Sequence, residues 1–435
     1  MRTWGDPLPS RVLVVGLARA GRAATAALRS QGIEVVAYDA DAALDPDGLD
    51  ATVHLGAWDD GLLDGVGLLV KSPGVPAEAE PVSTARARGV PVASEIELGV
   101  RLLPNPFVAV TGTNGKTTTT ALLGAILDAG GVPVEVAGNI GRALTSLVGH
   151  ASPDAWVVCE LSSFQLEDVS TLRPRVAVLT NLEPDHLDRH GTFERYAAIK
   201  LTLFERQRAD DVAVVPRGFG PVPGNGRRVE FAADDPLPAE PRIRGEHNRA
   251  NAAAATAAAR AVGVPDDAIA RALASFPGVE HRIEEVGELD GVLFVNDSKA
   301  TNAAAALRAL ASFAGRRKHV ILGGRGKAEP YDGLAAAFEP GDRAYVIGEA
   351  SETLGTSLRA AGVPVEEAGT LDRAVASAAA AATAGDVVLL SPACASFDQF
   401  TSFEHRGEEF RRLVQKLPGW GQNALPTEVS SSSGS

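Results

Sequence analysis

Apolar residues recur along this chain in short, nearly unbroken runs separated by amphipathic stretches, the pattern of strands covered on both faces by helices. In the first hundred residues the runs fall at 12–16, 35–39, 68–72 and 90–94, with an amphipathic stretch at 20–29. Strand, helix and strand in this order favour right-handed crossovers and a mostly parallel sheet. Pro104-Asn105-Pro106 interrupts the pattern, since proline neither continues a helix nor pairs within a central strand. A first domain boundary is expected there.

The alternation resumes with runs at 107–110, 156–160, 176–181 and 212–216 and a helix expected over 196–206. Residues 218–228, rich in glycine and proline, read as an irregular crossing, and alanine-dense 248–262 reads as a closely packed helix. Phe276-Pro277-Gly278 is turn-prone and supplies a second boundary. Strands at 292–296, 319–323, 344–348 and 387–391 then make a third unit. No solenoid-type repeat is visible. The expected fold is α/β in three domains. A Rossmann-like N-terminal domain spans 1–104, a central P-loop ATPase-type α/β domain 105–278, and a C-terminal Rossmann-like α/β domain 279–420, before a disordered tail at 421–435.

A length of 435 residues agrees with three domains. Acidic residues outnumber basic ones, 55 to 41, so the net charge of −14 repels phosphate on average. Nucleic acid is therefore not an expected partner, and any anionic ligand must be held by local features. The two cysteines, Cys159 and Cys394, lie in unrelated surroundings, which supports neither a disulfide framework nor a zinc site. No apolar run reaches about 18 residues, and MRTWGDPLPS lacks the apolar core of a signal peptide. A cytoplasmic protein without membrane contact is expected.

Two strand-to-helix turns could hold phosphate. Val12-Leu13-Val14-Val15-Gly16 leads through Leu17-Ala18-Arg19-Ala20-Gly21 into a helix, and Asp39 closes the next strand where dinucleotide folds place a ribose-binding acid. Ala18 stands where that fingerprint has its middle glycine, so three readings stay open: a tight turn without ligand, a nicotinamide cofactor, or a uridine diphosphate. The second turn is more specific. Phe107-Val108-Ala109-Val110-Thr111-Gly112-Thr113-Asn114-Gly115-Lys116-Thr117-Thr118 is a strand, a glycine-bearing loop and a helix start. Backbone amides there cradle phosphate oxygens, Lys116 neutralises charge, and the Thr117 hydroxyl suits Mg²⁺. The usual spacing would put the first glycine at Val110; here Gly112 takes its place.

Glu160 ends another apolar run, and Thr180-Asn181-Leu182-Glu183-Pro184-Asp185-His186-Leu187-Asp188-Arg189-His190 gathers carboxylates and imidazoles after a further one. Singly, each reads as a solvated loop. Jointly, at strand ends beside a phosphate loop, they point to metal-assisted phosphoryl transfer.

Together these motifs resemble the Mur ligases. The resemblance is carried by 111–118, Gly138-Asn139-Ile140-Gly141, 160–167, Asp185-His186-Leu187-Asp188, 196–200, His247-Asn248 with Asn251, His281-Arg282, Asn296-Asp297-Ser298-Lys299-Ala300-Thr301-Asn302 and 391–400, and runs from about residue 12 to 417. Ser391-Pro392-Ala393-Cys394-Ala395-Ser396-Phe397-Asp398-Gln399-Phe400 is similar to the branch that adds D-glutamate, and the Asp-Asn-Pro-Arg motif of the diamino-acid branch is absent. The resemblance implies an ATP-dependent ligase that joins D-glutamate to UDP-N-acetylmuramoyl-L-alanine through an acyl phosphate, in peptidoglycan precursor synthesis. It implies a UDP-sugar domain, an ATP domain and a C-terminal domain that swings about 276–279 to close over ATP and D-glutamate. Both substrates are small molecules, and a monomer is expected.

The same resemblance assigns residues. Lys116, Glu160, His186 and Lys200 are catalytic. ATP is held by Gly112, Thr113, Asn114, Gly115, Lys116, Thr117, Thr118, Asn248, Asn251, Arg282, Asp297 and Lys299. The UDP sugar meets Arg19, Ala20, Gly21, Asp39, Ser72, Gly74, Asn139 and His186, and D-glutamate meets Thr301, Lys327, Ser396 and Phe403. Two Mg²⁺ ions are implied, one on Thr117 and Glu160 and the other on His186 and Lys200. An ammonium cannot bind a metal, and by its own pattern Lys200 reads as a solvated helix lysine; in this family the matching lysine carries a carbamate, an anionic oxygen ligand. Two departures concern the first domain: Ala18 and Arg19-Ala20 replace a glycine and a hydroxyl residue common in relatives, and Ala40-Asp41 offers no arginine to uracil.

Overall fold

Three sheets, each dominated by parallel pairing, carry the chain, and the computed structural model describes residues 8–326 and 330–421 of it. The chain divides into two compact units between Phe276 and Pro277. The first sheet comprises β1 (Arg11–Val15), β2 (Glu34–Asp39), β3 (Thr52–Leu55), β4 (Leu68–Lys71) and β5 (Val92–Ser94), in the order β3-β2-β1-β4-β5 and parallel throughout. Strand β1 is central, and its side chains alternate between two apolar layers, Val12 and Val14 in one and Leu13 and Val15 in the other.

The second sheet holds β6 (Phe107–Thr111), β7 (Val134–Gly138), β8 (Trp156–Glu160), β9 (Val176–Leu179), β10 (Val212–Pro216) and β11 (Arg227–Phe231), in the order β11-β10-β9-β6-β8-β7. All its pairings are parallel. The chain leaves β6 toward one edge and later returns to build outward from its other side. That reversal opens a crevice beyond the carboxyl ends of β6, β8 and β9. The helix expected over 196–206 instead spans Phe193–Leu201, with the Thr192 side chain capping it, and tightens into a 3₁₀ turn at Thr202–Phe204. The expected crossing at 218–228 ends at Arg227, where the half-exposed edge strand β11 begins.

These two sheets share the first unit. Helix Glu95–Leu102 joins them, and its first turn carries two buried carboxylates that reach into the middle of the chain. Glu95 accepts from the Thr145 amide and hydroxyl at 2.6 and 2.7 Å. Glu97 accepts from the amides and hydroxyls of Ser170 and Thr171 at 2.8 to 3.0 Å.

The second unit contains β12 (Glu284–Leu289), β13 (Val292–Asn296), β14 (Lys318–Gly323), β15 (Arg343–Ile347), β16 (Val365–Gly369) and β17 (Val387–Leu390), in the order β12-β13-β17-β14-β15-β16. Only β12 runs antiparallel to its neighbour among these pairings. Residues 422–435 of the expected tail lie outside the described residues. Among the described residues no helix is long and apolar enough to cross a membrane, and Cys159 and Cys394 are buried free thiols.

Candidate active site

The loop between β6 and helix Lys116–Ala129 is shaped by close approach. Gly112 and Gly115 have φ of +147° and +80°, and a Cβ at either would lie 2.0 Å from Thr180 Oγ1 or 2.1 Å from Asn251 Oδ1. Only glycine fits both positions. The end of β9 and the residues after it pin the loop from outside. Thr180 Oγ1 donates to the Asn114 carbonyl at 2.6 Å, Asn181 Oδ1 accepts from the Asn114 amide at 2.8 Å, and Glu183 Oε2 accepts from Asn114 Nδ2 at 3.0 Å. Lys116 Nζ donates to the carbonyls of Gly112 and Thr113, at 3.0 and 2.8 Å. The sequence reading missed Thr180, Asn181 and Glu183 as loop supports, although polar residues directly after an apolar run were the available signal. Asn251, expected at the nucleotide, packs against Gly115, and its Nδ2 faces Asn248 Oδ1 at 3.3 Å.

Glu160 ends β8 beside the loop, with Val110 as its partner across the sheet. It is buried, and Asn139 Nδ2 donates to its Oε1 at 2.9 Å while Oε2 has no hydrogen-bond partner. A buried carboxylate oxygen without a donor is costly in isolation and suits a cation. Thr117 is buried in the first turn of the loop's helix. Among the described residues no cluster of three or more His, Cys, Asp or Glu side chains is arranged for a metal. That sparse donor set fits Mg²⁺, which keeps water and phosphate oxygens for most of its shell, and not a cation needing an all-protein cage.

Lys200 is not the solvated helix residue its local pattern suggests. It is 1% exposed, its Nζ donates to the Gly112 carbonyl at 2.7 Å and lies 4.8 Å from the centre of the Tyr196 ring. No carboxylate among the described residues stands within ion-pair distance of it. Burial, and then the charge of Lys116, push its pKa down to about 7, against the pull of Asp185 and Glu160. Burial likewise pushes Tyr196 up to about 12, and its hydroxyl lies 3.1 Å from Thr113 Oγ1. His186 stands exposed on the loop after β9 in a left-handed conformation, φ +51°, with its ring 4.8 Å from that of Phe164.

The turn after β1 is equally constrained. A Cβ at Gly21 would overlap the Gly16 carbonyl at 1.8 Å, and Ser72 Oγ donates to that carbonyl at 2.7 Å. Asp39 serves the turn itself, accepting from the Leu17 amide at 2.6 Å and the Asp41 amide at 3.0 Å. Arg19 Nη1 donates to the Gly141 carbonyl at 2.8 Å, in the loop that also carries Asn139. Ala20 is partly exposed, and Gly74 has open space around it.

In the second unit, Asp297 follows β13 and accepts from Ser391 Oγ at 2.8 Å and the Ile283 amide at 3.2 Å. Burial pushes its carboxyl up to about 7. Arg282 lies in the turn so held, with its Nε buried and unpartnered, and Lys299 Nζ lies 5.6 Å from the Phe403 ring centre. Thr301 is half-buried and Ser396 buried, while Lys327 lies outside the described residues. The sequence reading missed Arg406. Fully buried, it spends all five donors on the Ser298 hydroxyl and the carbonyls of Ser298, Gly323, Cys394 and Ala395, at 2.8 to 3.5 Å. It thereby ties together the loops after β13, β14 and β17, and burial pushes it down to about 10. Its signal was an arginine inside the amphipathic pattern of 403–415.

Residues 10–94 match the Mur ligase MurD-like N-terminal domain, 110–218 the Mur ligase middle domain, and 281–394 the Mur ligase glutamate ligase domain. The chain belongs to the Mur ligase family. This Mur ligase is 45% identical over 432 residues to the UDP-N-acetylmuramoylalanine--D-glutamate ligase of Sphingopyxis alaskensis, covering 94% of the chain and 97% of the relative. It is 40% identical over 449 residues to the enzyme of the same name from Koribacter versatilis, covering 95% and 98%. In fold it is similar to UDP-N-acetylmuramate-alanine ligase MurC from Thermotoga maritima, with a TM-score of 0.58 at 19% identity over 93% of this Mur ligase and 99% of that chain. MurF from Acinetobacter baumannii gives 0.56 at 17% identity over 95% of both.

Proposed function

We propose that this Mur ligase adds D-glutamate to UDP-N-acetylmuramoyl-L-alanine. Glu160 Oε2 carries the reading of the chemistry: a buried, undonated carboxylate oxygen at the strand end beside the Gly112–Lys116 loop. The names of the relatives and the 391–400 segment carry the choice of substrates. The alanyl carboxylate attacks the γ-phosphorus of ATP, releasing ADP and leaving an acyl phosphate. The D-glutamate amine then attacks the acyl carbon, inorganic phosphate departs, and the nitrogen loses a proton. Phosphoryl transfer of this kind depends on positioning and charge neutralisation. The loop amides and Lys116 hold the phosphates. Mg²⁺ bound through Glu160 and Thr117 supplies further neutralisation. Lys200, with its pKa pushed down to about 7, is in substantial part a neutral amine near neutral pH. That form condenses with CO₂ and releases a proton, giving a carbamate that with His186 would hold a second ion.

The N-terminal turn with Arg19, Ala20, Gly21, Asp39, Ser72 and Gly74 takes the UDP sugar, together with Asn139 and His186. Asn248, Asn251, Arg282, Asp297 and Lys299 complete the nucleotide site, and Thr301, Lys327, Ser396 and Phe403 hold D-glutamate. The domains are those expected at 1–104, 105–278 and 279–420, acting as a monomer in the cytoplasm, where both nucleotides are made. Phosphate release from ATP, with magnesium and bicarbonate, is the test. It should require UDP-N-acetylmuramoyl-L-alanine and D-glutamate together; release with L-alanine or a diamino acid in place of D-glutamate would reassign the branch.

A further inference from the structure

We propose that Lys71 and Glu167 are positioning residues that hold the turn after β4 in register with the loop carrying Asp185 and His186. The proposal rests on the assignment of the first turn, including Ser72, to the UDP sugar. Lys71 is the last residue of β4 and directly precedes Ser72. Its side chain is wholly buried, with Nζ 3.1 Å from Asp168 Oδ2, 3.4 Å from Glu167 Oε2 and 3.4 Å from the Val75 carbonyl. Both acids directly follow helix Ser163–Leu166, in the part of the unit built on the second sheet.

From Glu167 the contacts run on without a break. Arg189 clasps it with two bonds, Nη2 to Oε2 at 2.8 Å and Nε to Oε1 at 3.3 Å. The same guanidinium lies 4.3 Å from the centre of the Phe164 ring, against which His186 also packs. His190 Nδ1 stands 3.7 Å from Glu167 Oε1, and its Nε2 is 3.0 Å from Ser163 Oγ. On the other side, Asp168 Oδ1 accepts from Arg86 Nη2 at 2.8 Å, and its carbonyl accepts from the Ser94 amide at 3.1 Å. One charged chain thus connects the residue beside Ser72 to the residues beside His186.

Packing alone does not call for this chain, because well-packed apolar side chains serve a buried interface as well as an ion pair does or better. What paired charges add is directional register between two loops. Register matters here because the acyl carboxylate must approach the γ-phosphorus to about 3–3.5 Å, and a misplacement of about 1 Å costs on the order of a hundredfold in rate. The substrate enters on the turn next to Lys71, while the second metal is assigned to the loop next to Arg189.

Lys71→Met, Glu167→Gln and the double variant are compared with the wild type in steady-state ligation, with folded fraction measured by circular dichroism. Each single variant should raise KM for UDP-N-acetylmuramoyl-L-alanine about tenfold and lower kcat, with KM for ATP within about twofold of wild type. The double variant should be no worse than the worse single one, because both cut the same chain. A kcat that merely follows the folded fraction with both KM values unchanged, or strictly additive effects, overturns the proposal. Should Lys71→Met not fold, Glu167→Gln, nearly identical in volume, decides by the same split. A wild-type protein that does not turn over the UDP-linked substrate defeats the functional reading instead, whereas wild-type turnover with unmoved KM values defeats only the positioning role.

Discussion

Lys71 and Lys200 are both buried lysines of the same unit, and the fold treats them in opposite ways. Lys71 Nζ has two carboxylates within 3.4 Å, whereas Lys200 Nζ has a single carbonyl at 2.7 Å and feels a second ammonium, Lys116. Lys318, buried in the other unit, follows Lys71, with Glu339 at 2.5 Å and Asp342 at 3.2 Å. A buried ammonium costs several kcal/mol unless neutralised, so a protein selected only for stability has every reason to pair it. The contrast teaches that burial alone does not sort the lysines: Lys71 and Lys318 are neutralised by carboxylates, whereas Lys200, with none within ion-pair distance among the described residues, has its pKa driven down to about 7.

The largest effect expected from this contrast is that of Lys200→Met. On the proposed role of Lys200 as a ligand of the phosphoryl-transfer site, turnover should fall by about a thousandfold or more. Stability should move the other way, with a gain of about 2–4 kcal/mol in urea unfolding at neutral pH. Lys71→Met should instead lose about 3–5 kcal/mol, because it leaves buried acids short of a cation. Equal destabilisation by both would break the comparison. The pH dependence sharpens it. The folded value of Lys200 is about 7 against an ordinary 10.5, so the burial penalty is complete below pH 7 and fades as the pH rises toward 10.5. In CO₂-free buffer the gain from Lys200→Met should therefore be greatest at acid pH and shrink on the alkaline side.

The second-largest effect concerns Asp297, which stands to carboxylates as Lys200 does to lysines. It is buried, with no cation among the described residues within ion-pair distance, and its pKa rises from an ordinary 3.8 to about 7. The retained proton contributes stability fully below pH 3.8, and this contribution is lost as the pH climbs through 7. Asp297→Asn should abolish that decline and exceed the wild type by about 2–3 kcal/mol above pH 7, read as the unfolding midpoint across a pH series. A wild-type midpoint that rises from pH 5 to 8 would contradict it.

How much of this was legible in the sequence follows from which signals are local. Central strands such as β1, β8, β10 and β13 are buried on both faces and wrote themselves as apolar runs. Three of the edge strands did not: β3 reads TVHL, β11 RRVEF and β16 VEEAG, because one side or one edge meets water and polar residues are tolerated there. The glycine-bearing turn into helix Lys116–Ala129 was legible because Gly112, Gly115, Lys116 and Thr117 fall within six residues of one another. The partners that give the lysines their meaning were not, since Glu167 lies 96 residues beyond Lys71 and the Gly112 carbonyl lies 88 residues before Lys200. Residue type and local pattern made both look like ordinary charged positions.

Arg406 lies between the two lysines in kind and gives the smallest of these effects. It is as buried as Lys71 but faces no carboxylate, and unlike Lys200 it has every donor satisfied, by one hydroxyl and four carbonyls. Those acceptors come from three separate loops, so the guanidinium fork and not the charge is what the site uses. Arg406→Lys keeps the charge and offers three donors where five are engaged. Two acceptors then lose their partner, which should cost about 2 kcal/mol of stability in the second unit. Ser396 directly follows the Cys394 and Ala395 acceptors, and Phe403, whose carbonyl accepts from Ser298 Oγ, begins Arg406's own helix, so on the proposed assignment of both to D-glutamate its KM should rise severalfold while KM for the UDP-linked substrate stays put. Arg406→Met, which abandons the charge as well, discriminates between fork and charge. If Lys and Met variants lose the same stability, directional bonding explains the arginine; if Lys rescues almost everything, a bare cation was sufficient and Arg406 belongs with Lys71.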